Sequence, residues 1–137
     1  MSKVAVVYWS GTGNTETMAN CIADGAKEKG AEVDVVSAAD FSDSMVADYS
    51  AIAFGCPSMG DETLEEDEFQ PMWDSVKDIL ADKDVVLFGS YGWGDGEWLR
   101  NWEAETTAKS VETYMCNDTP DDDAQEECKK LGANLVS

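Results

Sequence analysis

Histidine is missing from this 137-residue chain, and basic residues are scarce, with 9 lysines and arginines against 29 aspartates and glutamates. Without histidine, hydrolytic sites built on a Ser-His or Cys-His pair are excluded. The four cysteines, Cys21, Cys56, Cys116 and Cys128, are far apart and do not have the spacing of a zinc site. We therefore expect reduced thiols, no metal site and a cytoplasmic protein.

Long apolar runs are also missing. The longest, such as residues 4–9, have about six residues, whereas a helix that spans a bilayer needs roughly 20. The formal net charge of −20 repels nucleic-acid phosphates and anionic membranes. The sequence thus predicts neither a nucleic-acid nor a membrane partner. The acidity favours partners with basic docking surfaces, although a role in solubility alone would also explain it.

Short apolar runs alternate with amphipathic segments along the chain. The runs suited to buried strands are residues 4–9, 33–36, 52–54, 85–88 and, with a more polar start, 111–116. Strands that alternate with helices predict right-handed crossovers and a parallel sheet covered on both faces. We therefore expect a single α/β domain over residues 1–137, a three-layer α/β/α sandwich with a doubly wound sheet. Ligands of such sheets bind beyond the carboxyl ends of the strands.

Apolar residues at helical spacing mark the helices between these strands. One helix begins near residue 97 and is predicted to be short, and Gly30 suits the end of an earlier one. The longest apolar stripe comprises Phe69, Met72, Trp73, Val76, Ile79 and Leu80. Two further stripes comprise Met18, Ile22 and Ala26, and Ala124, Cys128, Leu131 and Leu135.

Residues 10–15 lie directly after the first strand and before a helix. Backbone N–H groups and the positive end of the helix dipole suit a phosphate at such a place, and serine and threonine hydroxyls add donors. The segment lacks the Gly-Lys-Ser/Thr ending of a P-loop, and Glu16 occupies the third glycine position of a dinucleotide fingerprint. Neutral donors alone favour the terminal monophosphate of a small cofactor, and an ordinary strand-to-helix turn stays open as the alternative.

Two further loops follow the third and fourth strands. The first supplies Met59, whose polarizable side chain can lie on a flat ring. The second supplies Trp93 between two glycines, which leave its ring plane accessible. A planar heteroaromatic ring can therefore be clamped between Met59 and Trp93, although each residue by itself also suits core packing.

These three segments, residues 8–15, 55–62 and 88–96, resemble the cofactor loops of clostridial-type short-chain flavodoxins in order and spacing, and the similarity extends from Lys3 to about Trp102. The resemblance implies a flavodoxin-like five-stranded sheet of order 2-1-3-4-5 and one non-covalently bound FMN. It implies a monomeric low-potential one-electron carrier between redox proteins, cycling mainly between semiquinone and hydroquinone. No residue of the polypeptide is then catalytic.

The resemblance also implies which residues contact FMN. Around the phosphate and the ribityl chain it places Ser10, Gly11, Thr12, Gly13, Asn14, Thr15, Ser58 and Ser90. The remaining contacts are Pro57, Met59, Gly60, Asp61, Glu62, Tyr91, Gly92, Trp93 and Gly94. Among these, the Gly60-Asp61 peptide lies beside flavin N5, and Glu62 accepts a hydrogen bond from the ring N3–H. Asn117 and Asp118 receive no role, because the pattern does not settle the register of the last strand.

Three other functions are compatible with parts of this pattern. The first is an FMN-dependent NAD(P)H:quinone-type reductase of the same fold, which usually needs additional chain for a substrate pocket. The second is a phosphorylated receiver domain, but the expected acidic pocket is replaced by Tyr8-Trp9-Ser10 and Gly55-Cys56-Pro57. The third is a carrier of apolar ligands. The predicted phosphate-binding segment, residues 10–15, which we call the phosphate loop, argues against this function.

Overall fold

The computed structural model describes residues 3–11, 13–59, 62–92 and 94–136, and within them five parallel strands form one sheet in the order β2-β1-β3-β4-β5. The strands are β1 (Lys3–Tyr8), β2 (Glu32–Ser37), β3 (Ala51–Gly55), β4 (Asp84–Tyr91) and β5 (Ser110–Asn117). The helices are α1 (Asn14–Glu28), α2 (Phe69–Val76), α3 (Glu97–Ala104) and α4 (Asp122–Asn134). The order of the strands and the layered α/β architecture confirm the predicted fold class.

The strand alternation divides the core into two layers. Along β1, Val4 and Val6 belong to the layer covered by α1 and α4, whereas Ala5 and Val7 belong to the layer covered by α2 and α3. All four side chains are fully buried. Successive side chains of a strand point to opposite faces, so a continuous apolar run is what a sheet with two covered faces requires.

The ends of two helices follow from single residues. Gly30 has a positive φ of 91°, and its N–H donates to Lys27 O while that of Ala31 donates to Ala26 O, which together close α1. At the start of α4, the Asp121 carboxylate accepts from Ala124 N at 2.8 Å. The prediction that Gly30 ends α1 is confirmed.

Two details differ from the sequence expectations. Ile79 was expected in the apolar stripe, yet it is 47% exposed, because the chain tightens into a 3₁₀ turn over Lys77–Ile79 and leaves the helical phase. Ser90 and Tyr91 were expected in the loop after the fourth strand, but β4 continues through both of them. Their pairing with Cys116 and Asn117 of β5 provides the hydrogen-bonding partner that extends the strand.

Helices α1 and α4 approach closely at two glycines. A Cβ on Gly25 would lie 1.9 Å from Lys129 O, and a Cβ on Gly132 would lie 1.9 Å from Ile22 O. The two backbones are therefore in direct contact, which only residues without a side chain permit. No helix within the described residues is long and apolar enough to cross a membrane.

Candidate functional site

The carboxyl ends of β1, β3 and β4 meet at one cavity of about 330 Å³. It lies at the point where the strand order reverses between β1 and β3, which is the usual ligand position in doubly wound sheets. Its lining consists of Trp9, Gly11, Asn14, Pro57, Ser58, Met59, Ser90, Tyr91, Gly92 and Asp118. No lysine or arginine is among the described residues that line it, so its donors are uncharged.

The loop after β1 is shaped to present N–H groups. Gly13 has a φ of 96° and directly precedes α1, and its own N–H donates to Ser10 Oγ at 3.0 Å. The first intrahelical bond runs from Thr17 N to Gly13 O at 3.0 Å, so the N–H groups of residues 14–16 have no intrahelical acceptor. Together with the helix dipole, these donors make the loop suitable for an anion.

Hydrogen bonds hold the loops at this end of the sheet together. Thr15 Oγ1 lies 3.3 Å from Ser90 Oγ, and both residues are buried. Ser58 N donates to Ser90 O at 3.0 Å. Ser90 therefore joins the first turn of α1 to the loop after β3, and this explains how segments distant in sequence form one cavity.

Met59 and Glu62 bracket the loop after β3. Met59 N donates to Thr63 O at 3.0 Å, and Glu62 N donates to Met59 O at 2.8 Å. Glu62 itself has a φ of 54°, which is uncommon for a residue with a side chain. The loop is thus tied at both sides of Met59, whose side chain faces the cavity.

The Glu62 carboxylate is an acceptor in need of a donor. Its Oε1 is buried and has no hydrogen-bond partner among the described residues. A Cβ on Gly94 would meet this oxygen, and the φ of 89° at Gly94 also favours glycine, so a side chain there would displace the Glu62 carboxylate and strain the backbone. A buried acceptor without a donor is costly unless a ligand supplies one. The chemistry fits an N–H at the edge of a heterocyclic ring, which is the donor that FMN offers.

The predicted site residues fall into three groups. Those that line the cavity are Gly11, Asn14, Pro57, Ser58, Met59, Ser90, Tyr91 and Gly92. Those described next to it but not in its lining are Ser10, Gly13, Thr15, Glu62 and Gly94. Of these, Glu62 borders a neighbouring cavity of about 190 Å³ with Trp98 and Trp102. Outside the described residues lie Thr12, Gly60, Asp61 and Trp93, so the clamp of a ring between Met59 and Trp93 remains a prediction.

Two lining residues, Trp9 and Asp118, were not predicted. Trp9 is the last residue before the phosphate loop, and this position in the sequence could have indicated that it lines the cavity. Asp118 has a φ of 55°, and its N–H donates to Tyr91 O at 2.8 Å. Because that contact depends on the pairing of β4 with β5, the local sequence contains no indication of it.

Cys56 is the one thiol at the end of β3, and its surroundings make it inert. Burial raises the pKa of Cys56 to about 12, and the hydrogen bond from Glu65 N only partly offsets this. The reactive thiolate is therefore absent at neutral pH. Cys56 packs in the buried core beneath the site, and its burial disfavours the thiolate.

The fold and the site together define an α/β protein with a doubly wound sheet and a cavity at its switch point, where such sheets usually bind a mononucleotide. A family model described as Flavodoxin matches residues 6–132. The flavodoxin of Clostridium beijerinckii is 39% identical over 96% of this chain and 98% of its own length. That of Megasphaera elsdenii is 45% identical over 94% of this chain and 95% of its own length. The solution structure of two-electron reduced M. elsdenii flavodoxin superposes with a TM-score of 0.87, at 43% identity, over 96% of this chain and 97% of that one.

The chain therefore belongs to the flavodoxin family. It is an FMN-binding electron carrier, as the sequence resemblance implied. The reductase alternative has only short support: an NAD(P)H dehydrogenase (quinone) of Rhodopseudomonas palustris is 57% identical over 35 residues, which cover 18% of that enzyme.

Proposed function

We propose that this single domain, residues 1–137, binds FMN in the cavity at the ends of β1, β3 and β4 and passes electrons between redox proteins with basic docking surfaces. The observation that carries the proposal is that the loop before α1 and the loop that holds Met59 meet at one cavity, and that the Met59 loop carries a buried Glu62 oxygen without a hydrogen-bond partner among the described residues. We expect a monomeric cytoplasmic carrier without a catalytic residue.

In this proposal the polypeptide positions the cofactor. The N–H groups at the start of α1 and the hydroxyls of Ser10, Thr12, Ser58 and Ser90 hold the phosphate and the ribityl chain. Thr15, bonded to Ser90, keeps the two loops at a fixed separation. FMN supplies the one-electron chemistry when bound, since no side chain of the site has a redox role.

At the ring, Met59 and Trp93 enclose the two faces, and Glu62 accepts from the N3–H. The Gly60-Asp61 peptide lies at the N5 edge. Pro57, Tyr91, Gly92 and Gly94 complete the surroundings, with Gly94 leaving the room that the Glu62 carboxylate needs. The N3–H of the ring then provides the hydrogen-bond donor that the buried Glu62 oxygen lacks among the described residues.

Titration of the folded apoprotein with FMN is expected to give equimolar binding, seen as quenching of the flavin fluorescence. Riboflavin, which lacks the phosphate, should bind at least about 100-fold more weakly, because each hydrogen bond to a charged group contributes about 1.5–3 kcal/mol. Inorganic phosphate should compete with FMN but not with riboflavin. FMN fluorescence that stays unquenched by excess protein would rule out the site.

Electron transfer to a basic redox partner is expected to slow by about tenfold when the ionic strength rises from about 10 to about 200 mM, because screening removes the attraction between unlike charges. The acidic residues that flank the site-forming loops include Glu66, Asp67, Glu68, Asp95 and Glu97. Stopped-flow rates measure the effect, with an uncharged quinone as the control acceptor. Rates to the basic partner that do not respond to salt would contradict the docking proposal.

The FMN-loaded protein alone should not oxidise NADPH at a steady rate, since we expect no nicotinamide site. Continuous consumption of NADPH with a quinone and without a protein partner would instead favour the reductase function.

A further inference from the structure

Trp9, the residue before the phosphate loop, is fixed at two places. Its backbone N–H donates to Gly55 O at 3.0 Å, which continues the pairing of β1 with β3. Its indole Nε1 donates to Glu68 Oε1 at 3.1 Å, across 59 residues of sequence. The ring is thereby held against the segment that begins α2.

The same ring supports the phosphate loop. A Cβ on Gly11 would lie 3.1 Å from Cη2 of Trp9 and 3.4 Å from its Cζ3, so the indole lies beside Gly11 and leaves little room for a side chain there. Trp9 and Gly11 both line the 330 Å³ cavity. A displacement of the indole would therefore change both the wall of the cavity and the support of the loop.

Glu68 is itself held in place by Glu65. The Glu65 carboxylate, only 6% exposed, accepts from the N–H groups of Asp67, Glu68 and Phe69 at 2.8 Å each. These bonds fix the backbone from which the Glu68 side chain reaches Trp9. The support thus runs from the start of α2 through Glu68 and Trp9 to Gly11.

We propose that Glu68 is a positioning residue that acts through the Trp9 indole on the phosphate loop, and thereby strengthens the binding of the phosphate group of FMN. The inference rests on the proposed FMN site. It adds Glu68, which directly precedes α2 and does not line the cavity.

The charge of Glu68 and its hydrogen bond predict opposite effects on FMN affinity. A carboxylate near a phosphate repels it, so the removal of charge alone should tighten binding. Loss of the hydrogen bond should weaken it, because the loop loses its support. Glu68→Gln removes the charge and keeps an acceptor oxygen, Trp9→Phe removes the donor and keeps the charge, and Glu68→Ala removes both charge and acceptor.

The experiment measures the dissociation constants of FMN and riboflavin by fluorescence quenching for the wild type and these variants. Trp9→Phe and Glu68→Ala are expected to weaken FMN binding about fivefold, the equivalent of one hydrogen bond. Glu68 does not line the cavity, so Glu68→Ala is expected to leave riboflavin binding unchanged. Glu68→Gln should bind FMN as tightly as the wild type or more tightly. The double variant Trp9→Phe with Glu68→Ala should be no weaker than Trp9→Phe alone, because both changes break one bond.

The matched control is a second tryptophan-to-glutamate hydrogen bond, between α2 and the residue that follows α3. There Trp73 Nε1 donates to Glu105 Oε1 at 3.2 Å, the same kind of bond, in which neither residue lines the FMN cavity. Glu105→Ala should leave both dissociation constants unchanged. Glu68 is exposed, so its substitutions do not disturb the core, and near-ultraviolet circular dichroism of each variant checks its tertiary structure.

Three results would overturn the inference: tighter FMN binding by Glu68→Ala, equal losses of FMN and riboflavin affinity in Glu68→Ala, or no change of FMN affinity in Trp9→Phe. A wild type that does not bind FMN would instead refute the proposed function itself, and this distinguishes the two failures.

Discussion

Replacement of Glu65 by alanine is expected to lower the free energy of unfolding by about 3 kcal/mol, because a buried charged acceptor of several hydrogen bonds is removed. The carboxylate accepts from three consecutive backbone N–H groups at 2.8 Å just before and at the start of α2. Their bonds are not additive, so the expected loss is well below three times the value of one bond. Urea denaturation measures it. The exposed neighbour Glu66 is the control, and Glu66→Ala should change the stability by less than about 0.5 kcal/mol.

The contribution of Glu65 should also depend on pH. Burial acts to raise the pKa of Glu65, but the hydrogen bonds from Phe69, Glu68 and Asp67 outweigh it and hold the pKa below its ordinary value. A carboxylate whose pKa is lower in the folded than in the unfolded state contributes its full stabilisation at pH values above the unfolded-state pKa. This stabilisation is lost as the pH falls through the folded-state pKa. The difference in stability between wild type and Glu65→Gln should therefore be constant near neutral pH and shrink below about pH 4. A difference that grows in acid would contradict this assignment.

Alanine at Gly132 is expected to destabilise the protein by about 2 kcal/mol, although alanine is the better helix former by about 1 kcal/mol. The new Cβ would lie 1.9 Å from Ile22 O and 2.8 Å from the carbon of the same carbonyl, so α4 would have to move away from α1. Gly25→Ala is expected to act in the same way through Lys129 O. The thermal midpoint should fall by several degrees, which differential scanning calorimetry detects.

Gly30→Ala is the matched control for these substitutions. Gly30 has a φ of 91°, but a Cβ there would meet no described atom within 4 Å, so only the backbone conformation opposes alanine, at about 1 kcal/mol. The double variant Gly25→Ala with Gly132→Ala should cost less than the two single losses together, because one separation of the helices relieves both clashes. If Gly132→Ala were more stable than the wild type, the prediction would be wrong, because the two helices would then separate without cost.

Most of the fold could be predicted because its determinants are local. Continuous apolar runs indicate strands buried on both faces, and helical spacing indicates the stripes of α1, α2 and α4. The prediction was wrong at Ile79, where a change from α-helix to a 3₁₀ turn moves one side chain out of the stripe. That change depends on how the end of α2 packs, which residue spacing does not encode.

The candidate site was predicted in part. Gly11, Asn14, Ser58 and Met59 line the cavity as expected, because each belongs to a loop whose position after a buried strand is evident. Trp9 and Asp118 were missed, since their place depends on contacts with other segments. The roles of the predicted residues toward FMN remain predictions, among them the clamp by Trp93.

The amino-acid sequence by itself determined the elements, the anion-binding loop at the start of α1 and the acidic character of the chain, since periodicity, glycine content and charge are properties of neighbouring residues. Only the tertiary structure decided that Ser90 joins the first turn of α1 to the loop after β3, that Glu62 buries an oxygen without a partner in the described part of the chain and that Glu68 holds Trp9. The physical reason is that these contacts join residues far apart in the chain, and the order and register of the strands bring them together.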